Sequence, residues 1–96
     1  MSRAVVGRYT VRPDAVDENV RVVRAVYDEL AVQRPEGLRY STTQIDTTTF
    51  VHVAIVEGDG NPLEAVAAFQ AFTADIDARC VSGPDATPGT LVGSYG

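Results

Sequence analysis

His52 is the only histidine in this 96-residue chain, and it sits in an apolar run, Phe50-Val51-His52-Val53-Ala54-Ile55-Val56. Imidazole titrates near neutrality, so it can act as a general base. Side chains alternate across a strand, so Phe50, His52, Ala54 and Val56 share one face, and Val51, Val53 and Ile55 the other. Tyr9 stands in a second alternating run with Val5, Gly7 and Val11 on its side. Its hydroxyl can orient a substrate oxygen while its ring walls a pocket. Gly7, two residues earlier, leaves room beside it. Each residue also has a plainer role: a buried histidine bonded to a neighbour, a core tyrosine with its hydroxyl at the rim, a glycine that admits a helix.

Other residues could complete such a pocket. Asn19 lies beside an apolar helical stripe, where it either turns inward as a polar contact or edges a solvated face. Tyr40 and Tyr95 fall in strand-like stretches where aromatic residues pair across a sheet. Phe69 and Phe72 belong to a second helical segment and would supply apolar walls. Gly58-Asp59-Gly60-Asn61-Pro62 lacks the glycine spacing and the lysine of a phosphate loop and reads as a loop feeding a helix cap.

Composition removes several chemistries. All eight basic residues are arginine, so Schiff-base and pyridoxal-phosphate attachment to lysine are excluded. One histidine and one cysteine cannot make an ordinary zinc site without help from carboxylates or another subunit; no metal and no cofactor is expected. A net charge of −5 without a basic run argues against nucleic acid as a partner. No apolar stretch approaches the length of a membrane span, and Met1 to Val6 is too short for a secretion signal. A cytoplasmic protein is the expectation, and lone Cys80 suits a reducing compartment. Residues 1–96 are read as a single domain of ordinary size.

The elements that must position these residues follow from periodicity. Ala4–Arg12 alternates as a strand, which Pro13-Asp14 ends while opening a helix. Val16, Val20, Val23, Tyr27 and Leu30 then recur at helical spacing, until Arg34-Pro35-Glu36-Gly37 stops them. A strand from about Leu38 to Ile45 reverses at Asp46-Thr47-Thr48 into the Phe50 strand. Asn61-Pro62-Leu63-Glu64 starts a second helix, read as continuing through Arg79 to the break at Ser82-Gly83-Pro84. Thr90–Tyr95 is read as a short last strand. The order βαββαβ is the α+β, ferredoxin-like plan: a four-stranded antiparallel sheet with both helices on one face. The Phe50 strand is apolar on both faces, so the bare face also needs cover. A 96-residue chain has no third layer, so a second copy is expected there, pairing sheet to sheet as a homodimer. Arg8 and Arg12 would then face the partner and form ion pairs, with Asp46 or Glu57 as candidates.

With this order, R-Y-T-V-R-P leading into helix one, and F-V-H-V-A-I-V-E leading towards helix two, the chain resembles the dimeric α+β barrel superfamily. Within it the similarity is greatest to the antibiotic-biosynthesis monooxygenase-like (ABM-like) group. The resemblance implies a ligand cavity between sheet and helices and, in some members, cofactor-free oxygenation of quinols or phenols. Haem-degrading members use an asparagine on strand one, a tryptophan on strand three and a histidine on helix two. Here Gly7 and Val56 occupy the first two positions, and Glu64 to Arg79 contains no histidine. Haem degradation is therefore not expected.

Two functions stay open. In one, a flat phenol- or quinol-like compound is bound and oxidised, with His52 as base, Tyr9 orienting, and Gly7, Asn19, Tyr40, Phe69 and Phe72 around the substrate. In the other, the same dimer is a non-catalytic ligand-binding or structural module.

Overall fold

The computed structural model describes residues 2–95. Strand β1, Ser2–Val11, is followed by a 3-10 turn at Pro13–Ala15 and helix α1, Val16–Gln33. Proline presets the turn, and Asp14, Asp17 and Glu18 lie at the positive end of the helical segment. Asn19, Val23 and Val26 are the buried positions of α1. The helix ends at Arg34, which takes a left-handed conformation (φ 49°) and donates its N–H to the Leu30 carbonyl at 2.8 Å. Pro35 disfavours a helical conformation at the residue before it, so the left-handed turn closes the helix there.

β2, Leu38–Gln44, and β3, Thr49–Glu57, form the expected antiparallel hairpin. Asp46 makes the turn: its Oδ1 accepts the backbone N–H groups of Thr48 (3.0 Å) and Thr49 (2.9 Å). Those bonds hold its carboxyl below the ordinary range. The sheet order is β2-β3-β1-β4, antiparallel throughout. Phe50, His52, Ala54 and Val56 are buried, whereas Val51, Val53 and Ile55 are half-buried on the face without helices. Tyr9, Val11, Phe50 and Ala54 pack in one core with Val23 and Val26 of α1 and with Leu63, Val66, Phe72 and Ile76. This is the ferredoxin-like arrangement read from the sequence.

Three details differ from expectation. The second helix is not continuous from Glu64. Pro62–Ala65 is a 3-10 turn capped by Asn61, whose Oδ1 accepts the Leu63 N–H at 3.0 Å, and α2 begins afresh as Ala67–Arg79. Val66 is extended (φ −89°, ψ 114°) and buried between them, so tertiary packing interrupts the helix. The start of α2 is held by another helix: the Glu29 carboxylate accepts the N–H of Ala67 (3.0 Å) and Ala68 (2.9 Å).

Secondly, the last strand is β4, Cys80–Thr90, and not Thr90–Tyr95. Ser82-Gly83-Pro84 therefore lies inside a strand. The segment is an edge strand with register shifts against β1 between Arg8 and Val11, and edges tolerate proline and bulges. Gly83 (φ 80°) is required there, because a Cβ would stand 2.7 Å from the Arg8 carbonyl oxygen. Thirdly, Tyr95 lies beyond the strand and is fully exposed, so it pairs with nothing across the sheet.

Candidate active site between sheet and helices

Register brings the candidate residues together. On the covered face His52 is directly opposite Gly7 of β1 and Thr42 of β2. Tyr9 pairs with Phe50, and Tyr40 with Ala54, so the two tyrosines lie diagonally on either side of His52. The imidazole consequently meets a hydroxyl at each end. Nε2 is 2.7 Å from the Tyr9 hydroxyl; Nδ1 is 2.6 Å from that of Tyr40 and 3.0 Å from Thr42 Oγ1. Thr42 Oγ1 is in turn 2.7 Å from the Tyr27 hydroxyl.

The helices extend this network. Asn19 is fully buried, and its Nδ2 donates to the Tyr9 hydroxyl at 3.0 Å. Its Oδ1 accepts Nε–H of Arg79, the last residue of α2, at 3.1 Å. A guanidinium can only donate, so Asn19 must turn its oxygen to Arg79 and its NH₂ to Tyr9. Arg79 is itself 6 % exposed, sits 5.6 Å over the Phe72 ring, and keeps Nη2 buried without a partner among the described residues. The network runs Arg79, Asn19, Tyr9, His52, then Tyr40 and Thr42, and through Thr42 to Tyr27.

Desolvation sets the titration behaviour. Burial depresses the His52 pKa to about 4, so the ring is neutral at pH 7. It raises the Tyr9 hydroxyl to about 12 and pushes Tyr40 further up. Aromatic rings enclose the group: Phe72 lies 5.2 Å from His52 and 5.9 Å from Tyr9 between centroids, and Phe50 stacks on Tyr9 at 5.6 Å.

Beside this cluster is a cavity of about 330 Å³. Gly7, Tyr9, Tyr40 and His52 form part of its sheet wall, and Phe69 and Phe72 part of its helix wall. Gly7 contributes by absence: among the described residues a Cβ there would have only His52 Cβ as a neighbour, at 3.8 Å. Exposed Asp77 and Asp85 also line the space. A concave apolar space with a few convergent polar groups is the usual form of a small-molecule site.

Six of the seven residues singled out in the sequence therefore line this cavity. The seventh, Asn19, supports it from behind through Tyr9. The alternative role for His52, a histidine bonded to its neighbours, describes its contacts equally well. Sequence reasoning missed Thr42, Tyr27 and Arg79. The alternation of the Leu38 strand puts Thr42 on the same face as Tyr40, which was a usable signal. Nothing local marked Arg79 as buried. Among the described residues, no cluster of three or more His, Cys, Asp or Glu side chains is placed to hold a metal, and no helix is long and apolar enough to cross a membrane.

No protein-family profile matches the chain, and no curated protein matches it. Solved structures do. Rv0793 from Mycobacterium tuberculosis superimposes with a TM-score of 0.78 at 16% identity, covering 100% of both chains. A structure described as antibiotic biosynthesis monooxygenase gives 0.63 at 19%, over 97% of this chain and 100% of that one. A mutant of SnoaB, a cofactor-independent oxygenase from Streptomyces nogalater, gives 0.62 at 15%, over 97% and 95%. The chain has the fold of these proteins. At such identities the likeness extends to architecture, and the reaction must be argued from this chain's own residues.

Proposed function

We propose that the cavity binds a flat phenol- or quinol-like compound and that the bound compound is oxidised by molecular oxygen without a cofactor. The observation that carries this reading is the juxtaposition of an aromatic-walled space of about 330 Å³ with the Tyr9–His52–Tyr40 row. For a phenol, one oxygen atom of O₂ replaces a ring hydrogen and becomes a quinone carbonyl. The second leaves as water with that hydrogen and the phenolic one, and the ring supplies all the electrons. Proton removal is the step the chain can assist. Both imidazole nitrogens face protein hydroxyls, so the ligand's proton reaches His52 through Tyr9: the Tyr9 oxygen takes it and passes its own to Nε2. The likeness to the SnoaB structure supports oxygenation as the reaction class to test first.

A second reading is favoured by the same contacts. A histidine titrating near 4 is a weak base at neutral pH, which suits a cavity that holds its ligand unchanged. Oxygen uptake with a panel of quinols and naphthols, alongside calorimetric binding of each, separates the two. Uptake that disappears in His52→Ala supports oxidation. Tight binding with no uptake and unaltered ligand supports the binding module, and no binding by any compound overturns both.

The protein is further proposed to act as a homodimer through the bare sheet face. Val6, Val51, Val53 and Ile55 form an apolar patch there, on the paired strands β1 and β3. No described element of the chain packs over them, and the twin's identical face is the complementary surface. The cytoplasm is the proposed location.

A further inference from the structure

The buried network has a direction that determines which proton faces the ligand. Arg79 fixes the Asn19 amide, and Asn19 donates to the Tyr9 oxygen. Two arrangements remain beyond that point. In the first, the Tyr9 O–H donates to His52 Nε2, Nδ1 carries the imidazole proton, and that proton is shared with the Tyr40 and Thr42 oxygens. The Tyr40 proton is then left over. In the second, Nε2 carries the proton and donates to Tyr9, which leaves the Tyr9 proton over. The stranded proton costs most where no acceptor is in reach. In the second arrangement the Tyr9 oxygen accepts from both Asn19 and Nε2, and among the described residues its hydroxyl has no further protein partner. In the first, the Tyr40 hydroxyl lies beside Thr42 as well as His52 on the cavity wall, so its remaining proton can turn to Thr42 or to a ligand.

We infer that Asn19, oriented by Arg79, is a positioning residue that holds His52 in its Nδ1–H form, so that Tyr40 can turn its O–H to an acceptor oxygen of the ligand. The ligand class narrows accordingly. It is a planar compound with a carbonyl or quinone-type oxygen at Tyr40, and it carries no negative charge of its own, because Asp77 and Asp85 stand along the cavity. This assignment of the ligand oxygen rests on the cavity reading above; the tautomer does not.

One isosteric change reverses the direction. In Asn19→Asp the carboxylate still accepts from Arg79 but cannot donate to Tyr9. Tyr9 then turns its O–H to the carboxylate and accepts from Nε2–H, and Nδ1 becomes the acceptor of the Tyr40 proton. Tyr40 thereafter presents a lone pair instead of a donor.

Nitrogen-15 spectra of the single histidine read this directly at pH 7. The expected wild-type spectrum has a pyrrole-type Nδ1 and a pyridine-type Nε2, and the two exchange characters in Asn19→Asp. The matching binding measurement uses tetramethyl-1,4-benzoquinone and its quinol under anaerobic conditions. Both are neutral, so the charge introduced at residue 19 does not separate them, and the fully substituted ring cannot add the Cys80 thiol. The ratio of quinone to quinol affinity is expected to fall roughly tenfold in the variant, about the effect of mismatching one buried hydrogen bond. An Nε2–H form in the wild type overturns the inference without any variant, so it survives as a test even if Asn19→Asp does not fold. Exchanged tautomers with an unchanged affinity ratio overturn the role of Tyr40. Failure of both compounds to bind, with the wild-type tautomer as stated, overturns the cavity reading and leaves the wiring intact.

Discussion

The Tyr9 hydroxyl lies 2.7 Å from His52 Nε2 and, on its other side, 3.0 Å from the Asn19 amide, so one oxygen joins the sheet to α1. Both groups it serves are buried. Removing it leaves two polar groups without a partner in an aromatic surround, and an unpaired buried group costs about 1–3 kcal/mol. Tyr9→Phe, which keeps the ring and its stacking on Phe50, is therefore expected to lower unfolding free energy by roughly 2–3 kcal/mol in urea denaturation. A loss under about 0.5 kcal/mol, the scatter of ordinary surface substitutions, would mean that the network contributes nothing net.

The network also sets how stability depends on pH. His52 titrates near 4 when folded and near 6.5 when unfolded, so between these values the unfolded chain binds more protons. Its contribution is complete above about pH 6.5 and is lost as pH falls towards 4, on the order of 3 kcal/mol in all. Tyr9 acts in the opposite direction. Its folded value of about 12 exceeds the ordinary 10, so its contribution is complete below pH 10 and is lost as pH rises from 10 to 12. Chemical denaturation at about pH 4.5, 7 and 11 should give lower stability at both extremes. In His52→Gln the acid-side loss should shrink, and an unchanged slope there would assign it to carboxylates.

How far this site could be read from the chain depends on which contacts are local. Two-residue alternation placed Tyr9, Gly7 and His52 on one covered face, because a strand's period fixes that without knowledge of its neighbours. Asn19 could be placed only beside the stripe of α1. Its full burial follows from Tyr9 and Arg79, which lie 10 and 60 residues away in sequence. Arg79 carries a charge at a helix end, where solvent is the ordinary expectation, and only the return of the chain into β4 covers it. The error at β4 has the same origin. Gly83-Pro84 and Pro88 argue against a strand locally, and what admits them is an edge position set by pairing with β1.

Glu29 supplies a test of how the helices are joined. Its carboxylate takes the first free N–H groups of α2, a capping role usually filled from within the same helix. Glu29→Ala is expected to cost about 1 kcal/mol, within the range for a lost cap. Amide exchange of Ala67 and Ala68 should accelerate more than that of residues in the middle of α2. Uniform acceleration across α2 would indicate a general loss of stability instead.

The bare sheet face gives a prediction about assembly. Val53 pairs with Val6 in its middle, so Val53→Glu puts a charge where two copies would meet. Sedimentation is expected to show a dimer for the wild type and a monomer for the variant. The variant should keep the wild-type far-ultraviolet dichroism, because position 53 points away from the helices. A wild-type monomer at micromolar concentration would end the proposal.

Gly7 separates the cavity from the core around it. Its position lines the cavity, and among the described residues a new Cβ would meet His52 Cβ at an ordinary contact distance of 3.8 Å. Gly7→Val therefore adds three carbons into the cavity and also replaces a poor strand former with a good one. Stability should rise by about 0.5–1 kcal/mol as the unfolded chain loses freedom. Ligand affinity should fall at least tenfold, on the order of 1.4 kcal/mol, because the added carbons occupy space the ligand needs beside His52. Opposite signs for the two effects are the diagnostic result, since a substitution that merely damaged the fold would lower both. If calorimetry shows affinity unchanged in a stable Gly7→Val protein, the ligand does not sit against His52, and the reaction must be sought elsewhere.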